Sequence, residues 1–229
     1  MPSTSKIPQW KFLLSHFFDM PIDGGNTDHN AGLELCLSKG RFCLSTPNAI
    51  YSYADLYHNF FNTFKRLKLD AMPVQEVLLL GFGMGSIPFM LEKKFGRKYR
   101  YTAVELDEVI AGWAMQYALP QLTSPLTIYT ADAYPFVMST PQKFDLIAVD
   151  VFLDEMVPEI FDEADFAKRL KRILRKDGLI IWNRLAGESK FRQRTETYFN
   201  GTFKRVFPEA VYLKMEANWM IMNHGRFLK

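Results

Sequence analysis

The chain has 229 residues, of which 48% are hydrophobic and 15% aromatic, so it can bury a sizeable core and is too apolar for long disordered stretches. Its 28 basic and 25 acidic residues leave a net charge of +3, which is too small and too mixed to indicate a nucleic-acid partner. The N-terminus contains neither a signal peptide nor an apolar run of about 18 residues, which predicts a cytoplasmic protein without a membrane partner. The four histidines are scattered and predict no metal site.

The first fifty residues predict a small β-hairpin. Apolar residues alternate within Leu33–Leu44, which is the period of strands with one buried face. The dipeptide Lys39-Gly40 is a two-residue turn candidate, and such a turn would place Cys36 opposite Cys43. We expect both cysteines to be free thiols, because the cytosol keeps such pairs reduced. Residues 1–52 are assigned to this N-terminal β-hairpin extension.

Residues 53–229 predict a larger unit in which strands alternate with helices. Helical spacing runs from Tyr53 to Leu67, and Pro73 ends that segment. The strand candidates that follow are Val77–Leu80, Tyr101–Val104, Leu126–Tyr129, Leu146–Val149 and Leu179–Trp182. Their alternation with helix candidates predicts a parallel sheet with right-handed crossovers and helices on both faces.

The end of the chain departs from this alternation. Ala210–Leu213 and Trp219–Met222 are two strand candidates separated by a few residues and no helix, which predicts an antiparallel pair. The predicted fold class is therefore α/β, with a Rossmann-like, doubly wound, mostly parallel sheet that ends in an antiparallel strand pair. The small N-terminal β-hairpin extension precedes it.

A glycine-rich turn follows the first strand of this unit. The spacing of Gly81, Gly83 and Gly85 is G-x-G-x-G, and Ser86 stands where a dinucleotide-binding motif places its third glycine. Glu105 ends the next strand, where a carboxylate can accept hydrogen bonds from both ribose hydroxyls. The pattern predicts a nucleoside site; a tight strand-to-helix turn without a ligand is the alternative.

Two further acids follow the next predicted strands. Asp132 can reach an adenine amine, or it can cap a short helix that begins at Ala133. Asp150 ends a strand near the expected switch point of the sheet, where ligands bind in open α/β folds. This placement makes Asp150 the leading catalytic candidate, with a cap or loop role as the alternative.

The stretch after Asp150 is acidic and contains no Lys or Arg between Asp154 and Asp165. Such a rim can attract a polycation. Alternatively, these acids stabilise a helix N-terminus, because the basic helical segment Ala167–Lys176 follows directly.

Taken together, the motifs resemble a known family. They are, in chain order, VLLLGFGMGSIP, AVELDE, IYTADAYPF, FDLIAVDVF, VPEIF and ILRKDGLIIWN, preceded by YSYADLYHNFF. In this order and spacing they resemble the spermidine synthase-like branch of the class I S-adenosylmethionine-dependent methyltransferase fold. The resemblance covers roughly residues 33–183.

The resemblance implies a cosubstrate, S-adenosylmethionine or its decarboxylated form, and a role for each matching residue. Glu105 would bind the ribose, Asp132 the adenine side, and the loop from Gly81 to Gly85 the methionine-derived tail. Asp150 would orient and deprotonate the attacking amine. The acceptor would be a small molecule, with a polyamine as one candidate, and it would contact Tyr57, His58, Asp154 and Glu159. Homodimerisation through the N-terminal hairpin is also implied.

One position departs from the family pattern. Aminopropyltransferases of this family have an aspartate where this chain has Met84, and that aspartate holds the ammonium of decarboxylated S-adenosylmethionine. Asn48 is only a loose substitute for the family's polyamine-contacting glutamine. We therefore predict a divergent methyl- or alkyltransferase acting on a small amine. The alternatives are a true spermidine synthase, which transfers an aminopropyl group to putrescine, and a nucleoside-binding protein without catalysis.

Overall fold

The computed structural model describes residues 7–152 and 156–229, and their strands form two sheets. The strands are β1 (Met20–Gly25), β2 (Leu33–Ser38), β3 (Arg41–Ser45), β4 (Ile50–Ser52), β5 (Glu76–Leu80), β6 (Arg100–Glu105), β7 (Leu126–Thr130), β8 (Phe144–Val149), β9 (Leu174–Leu185), β10 (Val211–Lys214) and β11 (Asn218–Met222). The α-helices are α1 (Gln9–Leu14), α2 (His58–Lys65), α3 (Ser86–Lys93), α4 (Glu108–Trp113), α5 (Ala133–Ser139), α6 (Ala164–Ile173), α7 (Ser189–Tyr198) and α8 (Lys204–Val206).

The N-terminal sheet has four antiparallel strands in the order β1-β2-β3-β4. The predicted hairpin is its central pair, β2 and β3, and Cys36 pairs with Cys43 across it as two free thiols. Lys39 and Gly40 have φ angles of 50° and 73°, as a tight two-residue hairpin turn requires. Strand β1 was missed because its sequence, MPIDGG, carries a proline and two glycines and has no apolar alternation.

The larger sheet has seven strands in the order β10-β11-β9-β8-β5-β6-β7, and this confirms the predicted fold class. Strands β5 to β9 pair in parallel, whereas β10 and β11 are antiparallel. The central strand β5 lies between β6 and β8, so Leu80 is beside both Val104 and Val149. The chain reverses its direction of winding at this point, and the carboxyl ends of the strands open there into a crevice.

The basic segment predicted as one helix is divided between two elements. Helix α6 ends at Ile173, and Leu174 begins strand β9, which is much longer than the predicted Leu179–Trp182. Phe166, Leu170 and Ile173 are buried on one side of α6, as the spacing of apolar residues in an amphipathic helix requires.

Alternate residues of the central strands pack into two hydrophobic clusters on opposite faces of the sheet. Val77 and Leu79 belong to one cluster, and Leu78 and Leu80 to the other. The first cluster also contains the buried residues of the N-terminal sheet, including Leu35. The N-terminal sheet therefore shares a hydrophobic cluster with one face of the seven-stranded sheet. Across the two described segments, none of the helices is both long and apolar enough to cross a membrane.

Candidate active site

A cavity of about 460 Å³ lies at the carboxyl ends of the parallel strands, which is the position predicted for a ligand. Its walls come from the N-terminal sheet, the start of α2, the turn after β5 and the ends of β6 to β9. The segments that follow β8 and β9 and the start of β11 complete them. The cavity is therefore completed by residues that are far apart in the sequence.

The glycine turn is shaped by a close backbone approach. Gly81 has a φ of 81°, and a Cβ atom at this position would lie 2.2 Å from the carbonyl oxygen of Asp150. Gly81 and Gly83 line the cavity. Gly85 begins helix α3 with a φ of 70°, a Cβ there would meet the Phe82 ring at 2.9 Å, and the residue lies outside the cavity lining. The tight-turn interpretation therefore accounts for Gly85, while two of the three glycines face the candidate site.

Replacing Gly81 with alanine is expected to destabilise the fold by about 1 to 3 kcal/mol more than the matched change Gly96→Ala. Both glycines have a positive φ, but a Cβ at Gly96 would meet nothing within 4 Å. Only Gly81→Ala therefore adds a collision with backbone to the conformational strain. Urea unfolding of both variants measures the difference, and equal losses of stability would contradict the assignment.

Glu105 is buried at the end of β6 and holds the glycine turn through backbone hydrogen bonds. Its carboxylate accepts from the amides of Phe82 at 3.1 Å, Gly83 at 2.9 Å and Asp107 at 3.2 Å. Burial raises the pKa of Glu105 above its usual range, although these three amides oppose that effect. A carboxylate offers about four acceptor positions, so at least one remains for a ligand in the cavity.

Asp107 joins the N-terminal sheet to the cavity wall. One carboxylate oxygen accepts from Thr27 Oγ1 and from Asn30 Nδ2, the latter at 2.7 Å, while the other caps helix α4 at Val109 N. Burial alone would raise the pKa of Asp107, but these hydrogen bonds outweigh it and lower the pKa. Asn30 also lines the cavity, so the loop between β1 and β2 forms part of the candidate site.

Asp132 is the N-cap of helix α5. Its side chain accepts from Tyr134 N at 2.8 Å, so the capping interpretation is confirmed. Asp132 is exposed and also lines the cavity, on the side of Glu105 and Asp107. As an N-cap, the Asp132 carboxylate points at the start of α5 and still lies beside the cavity. Its contact with an adenine ring stays a prediction.

Asp150 ends strand β8 and accepts two hydrogen bonds inside the cavity. Asn183 Nδ2 donates at 2.9 Å and the Tyr57 hydroxyl at 3.2 Å, both to the same carboxylate oxygen. Burial raises the pKa of Asp150 to about 7; the two hydrogen bonds limit the rise, and the nearby negative charge of Glu105 adds to it. Asp150 therefore exchanges a proton near neutral pH, which is the property of a general base.

Two neighbours determine what Asp150 can do. Burial and, to a smaller extent, the negative charge of Asp150 raise the pKa of Tyr57 well above its usual value. The Tyr57 hydroxyl therefore stays protonated and can donate a hydrogen bond. The position of Asn183 beside Asp150 depends on the pairing of β8 with β9. The Oδ1 atom of Asn183 is buried and has no hydrogen-bond partner among the described residues. A free hydrogen-bond acceptor beside a carboxylate suits a ligand that carries several N–H groups.

Among the described residues that were predicted to contact the acceptor, one lines the cavity and two do not. Tyr57 lines it, but His58 begins helix α2 with an exposed side chain, and Glu159 is exposed outside the lining. Asp154 lies outside the described residues. Met84 is buried in the hydrophobic core instead of lining the cavity.

The acidic segment after Asp150 is anchored by arginines. Asp162 ends a 3₁₀ turn (Glu159–Asp162) and forms ion pairs of 2.7 Å with Arg184 and Arg194. Arg184 is only 2% exposed and lies 4.2 Å from the centre of the Tyr198 ring. Because Ile160 in the same turn lines the cavity, these ion pairs hold one wall of the candidate site.

The cavity is acidic. Its described lining contains no Lys or Arg and has five carboxylates, from Glu105, Asp107, Asp132, Asp150 and Glu188. Within residues 7–152 and 156–229, no group of three or more His, Cys, Asp or Glu side chains is arranged to hold a metal ion. The electrostatic character of the lining favours a ligand with positive charge.

Sequence comparison finds transferases among the relatives. The chain is 26% identical over 144 residues to a polyamine aminopropyltransferase of Vibrio vulnificus, covering 62% of this chain and 46% of the relative. It is 29% identical over 137 residues to an N-terminal histidine N-methyltransferase of Emericella nidulans, covering 57% and 23%. The chain thus spans about half or less of the length of these curated relatives. No protein-family model matches it.

Solved structures share the fold. A probable spermidine synthase from Corynebacterium glutamicum aligns with a TM-score of 0.68 at 21% identity, covering 89% of this chain and 80% of that one. A spermidine synthase in complex with the transition-state analogue AdoDATO aligns at 0.64 with 13% identity, covering 89% and 71%. Human methyltransferase-like protein 13 in complex with SAH aligns at 0.56 with 22% identity, covering 66% and 72%.

The sheet order and the cavity at its switch point define a chain with the Rossmann-like fold of the class I methyltransferases. Within that class the chain resembles the spermidine synthase-like branch, in sequence and in fold, and the resemblance inferred from its motifs is confirmed.

Proposed function

We propose that the protein is an S-adenosylmethionine-dependent transferase that alkylates a small amine, with methyl transfer as the leading reaction. The proposal depends on one observation: Asp150, a carboxylate with a pKa of about 7, lines the same cavity as Glu105, the carboxylate expected to bind a ribose. A nucleoside ligand and a general base for an amine are thereby available at one site.

The residues of the cavity fit a sulfonium nucleoside. Its volume of about 460 Å³ lies within the range of about 300 to 1,000 Å³ that cofactor sites occupy. The acidic lining complements a positive sulfur, and Glu105 retains acceptor capacity for ribose hydroxyls. In this proposal Glu105 binds the ribose and Asp132 lies beside the adenine. Gly81 and Gly83 line the cavity beneath the methionine-derived part of the cosubstrate.

Asp150 removes the proton that the amine must lose before it can attack. When bound, the sulfonium cosubstrate supplies an electrophilic carbon, and the electron pair of its carbon–sulfur bond stays on sulfur as the new carbon–nitrogen bond forms. The Tyr57 hydroxyl and the Asn183 amide hold the Asp150 carboxylate in place, and the free Oδ1 of Asn183 accepts a second N–H of the amine. Positioning supplies most of the acceleration, because the sulfonium is already a good leaving group.

The glycine turn lacks the carboxylate that would hold the ammonium of decarboxylated S-adenosylmethionine. Met84, at the position of the family's ammonium-binding aspartate, is 5% exposed and packs in the core, so it offers no negative charge to the tail. True spermidine synthesis is the second candidate, and the similarity to a polyamine aminopropyltransferase favours it.

Calorimetric titration with S-adenosylmethionine, its decarboxylated form and methylthioadenosine tests the proposal. We expect S-adenosylmethionine to bind more tightly than the decarboxylated form. We also expect Glu105→Gln to weaken binding about 10- to 150-fold, which corresponds to losing about 1.5 to 3 kcal/mol of charge-assisted hydrogen bonding. Glu159→Gln is the matched control, because Glu159 is exposed outside the cavity lining and should leave binding unchanged.

Each other outcome has a definite meaning. Tighter binding of the decarboxylated form would make aminopropyl transfer the leading function. Binding of none of the three nucleosides would overturn the transferase proposal and leave a protein that kept only the fold.

A further inference from the structure

The acceptor side of the cavity is apolar beyond Asp150, and this feature restricts the substrate. Four hydrophobic side chains line it: Phe152, Ile160, Leu185 and Phe191. Leu185 and Phe191 are partly buried, yet neither belongs to the two hydrophobic clusters nor packs against them. They therefore present apolar surface to the cavity, and the Phe191 ring also has Lys190 Nζ 4.5 Å from its centre.

The chain places this surface next to Asp150. Asn183 and Leu185 are two residues apart in β9, so their side chains project from the same face of the strand. Asn183 donates to Asp150, and Leu185 is one step further along, about 6 to 7 Å away. Helix α7 follows β9, and Phe191 in its first turn continues the wall. An amine bound at Asp150 would therefore extend its body along Leu185 and Phe191.

Among the described residues, Asp150 supplies the counter-charge for an ammonium group inside this side of the cavity. Besides Asp150, the only carboxylate of the described lining here belongs to Glu188. The Glu188 side chain is 66% exposed and lies 3.5 Å from Lys190 Nζ, so it is solvated and already near a positive charge. A second ammonium of a diamine would have to leave water beside Leu185 and Phe191, where the described part of the chain offers it no buried counter-charge, and this is costly.

From these contacts we infer that the acceptor is an amine with a single cationic nitrogen on an apolar alkyl or aryl body. The nitrogen is held by Asp150 and Asn183 Oδ1, and the body by Leu185, Phe191 and Ile160. This inference rests on the proposed function, since it concerns the acceptor half of the same cavity.

A matched pair of amines tests the inference by binding alone. Pentylamine and 1,4-diaminobutane differ only in a terminal methyl or ammonium group, and each is titrated into protein saturated with S-adenosylhomocysteine. We expect pentylamine to bind at least about tenfold more tightly, because its methyl group is buried against apolar side chains. Phenethylamine should bind at least as well as pentylamine.

Two variants place a carboxylate in the apolar wall, Phe191→Glu and, as an independent replacement, Ile160→Glu. Each is expected to reverse the preference in favour of 1,4-diaminobutane while S-adenosylhomocysteine still binds, which also shows that the variant is folded. Equal or tighter binding of 1,4-diaminobutane to the unmodified protein would overturn the inference. Binding of S-adenosylhomocysteine without any amine would overturn it and leave the nucleoside site standing, whereas failure of S-adenosylhomocysteine to bind would overturn both proposals.

Discussion

Asp150→Asn is expected to lower turnover by about 10²- to 10⁴-fold while nucleoside affinity stays within a few-fold of the unmodified protein. Asparagine preserves the shape of the side chain but cannot take a proton from the amine. Glu105, which carries the nucleoside in our proposal, is not altered by the change. Formation of S-adenosylhomocysteine from S-adenosylmethionine, with the tightest-binding amine as acceptor, measures turnover, and calorimetry measures affinity.

The same substitution on α6, Asp165→Asn, is the matched control. Asp165 is exposed and pairs with Lys168 on its own helix, so turnover should not change. Undiminished turnover in Asp150→Asn would remove Asp150 from the catalytic role while leaving the nucleoside site intact.

The pH profile gives an independent measure of Asp150. Its pKa is about 7 and a base acts when ionised, so kcat/KM should fall as the pH decreases below about 7. Tyr57→Phe removes one of the two hydrogen bonds that lower this pKa, and the midpoint should then move to higher pH.

Asp150→Asn should also stabilise the protein. The pKa of Asp150 is raised from 3.8 to about 7 by folding, so the folded state favours the protonated form. Ionisation of Asp150 therefore lowers the free energy of unfolding. This loss grows between about pH 4 and pH 7 and is constant above about pH 7. Because Asp150 lies on an open cavity wall, we expect a gain of about 1 to 3 kcal/mol at pH 8 and a smaller gain at pH 5. Urea unfolding at the two pH values measures both, and a gain that is larger at pH 5 would contradict the assigned pKa.

Asp162→Ala is expected to destabilise the fold by about 2 to 4 kcal/mol. The substitution removes the partner of Arg184, which is 2% exposed and would keep an uncompensated charge against Tyr198 and Trp182. Arg194 loses its ion pair as well, but at 30% exposure water replaces part of that interaction. Because Asp162 also anchors the turn that carries Ile160, the acceptor side of the cavity should loosen and amine affinity should fall.

Asp165→Ala is the control for this change, three residues further along the chain. Its pair with Lys168 is exposed at both ends, so we expect a loss of no more than about 1 kcal/mol. Adding Arg184→Met to Asp162→Ala removes the stranded charge and should recover part of the stability. The role assigned to Asp162 fails if the two alanine variants unfold at the same urea concentration.

The order of elements and the edge of the sheet that carries the site were predictable from the sequence. Strand and helix periods are local, and parallel strands direct all their carboxyl ends to one edge, so Glu105 and Asp150 had to end there. The turn at Lys39-Gly40 was predictable for the same reason, because a two-residue hairpin turn depends on neighbouring residues only.

Side-chain direction within those elements was decided by tertiary structure. Because helix α2 begins at His58, the side chains of Tyr57 and His58 point in different directions. Tyr57 donates a hydrogen bond to Asp150, and His58 is exposed to solvent. Within the glycine turn, Gly85 and Met84 turn to the core side while Gly81 and Gly83 face the cavity. A sequence motif identifies which positions correspond along the chain, but it does not show in which direction each side chain points.

Contacts between distant segments were likewise beyond the sequence. The hydrogen bond from Asn183 to Asp150 depends on the pairing of β8 with β9, and the anchoring of Asp162 depends on Arg184 and Arg194 from β9 and α7. The class of fold and the acids at its strand ends could be inferred from the sequence, because both follow from local periodicity. The proton affinity of Asp150 and the apolar wall beside it could not, because burial and charge spacing arise when segments far apart in the chain pack together.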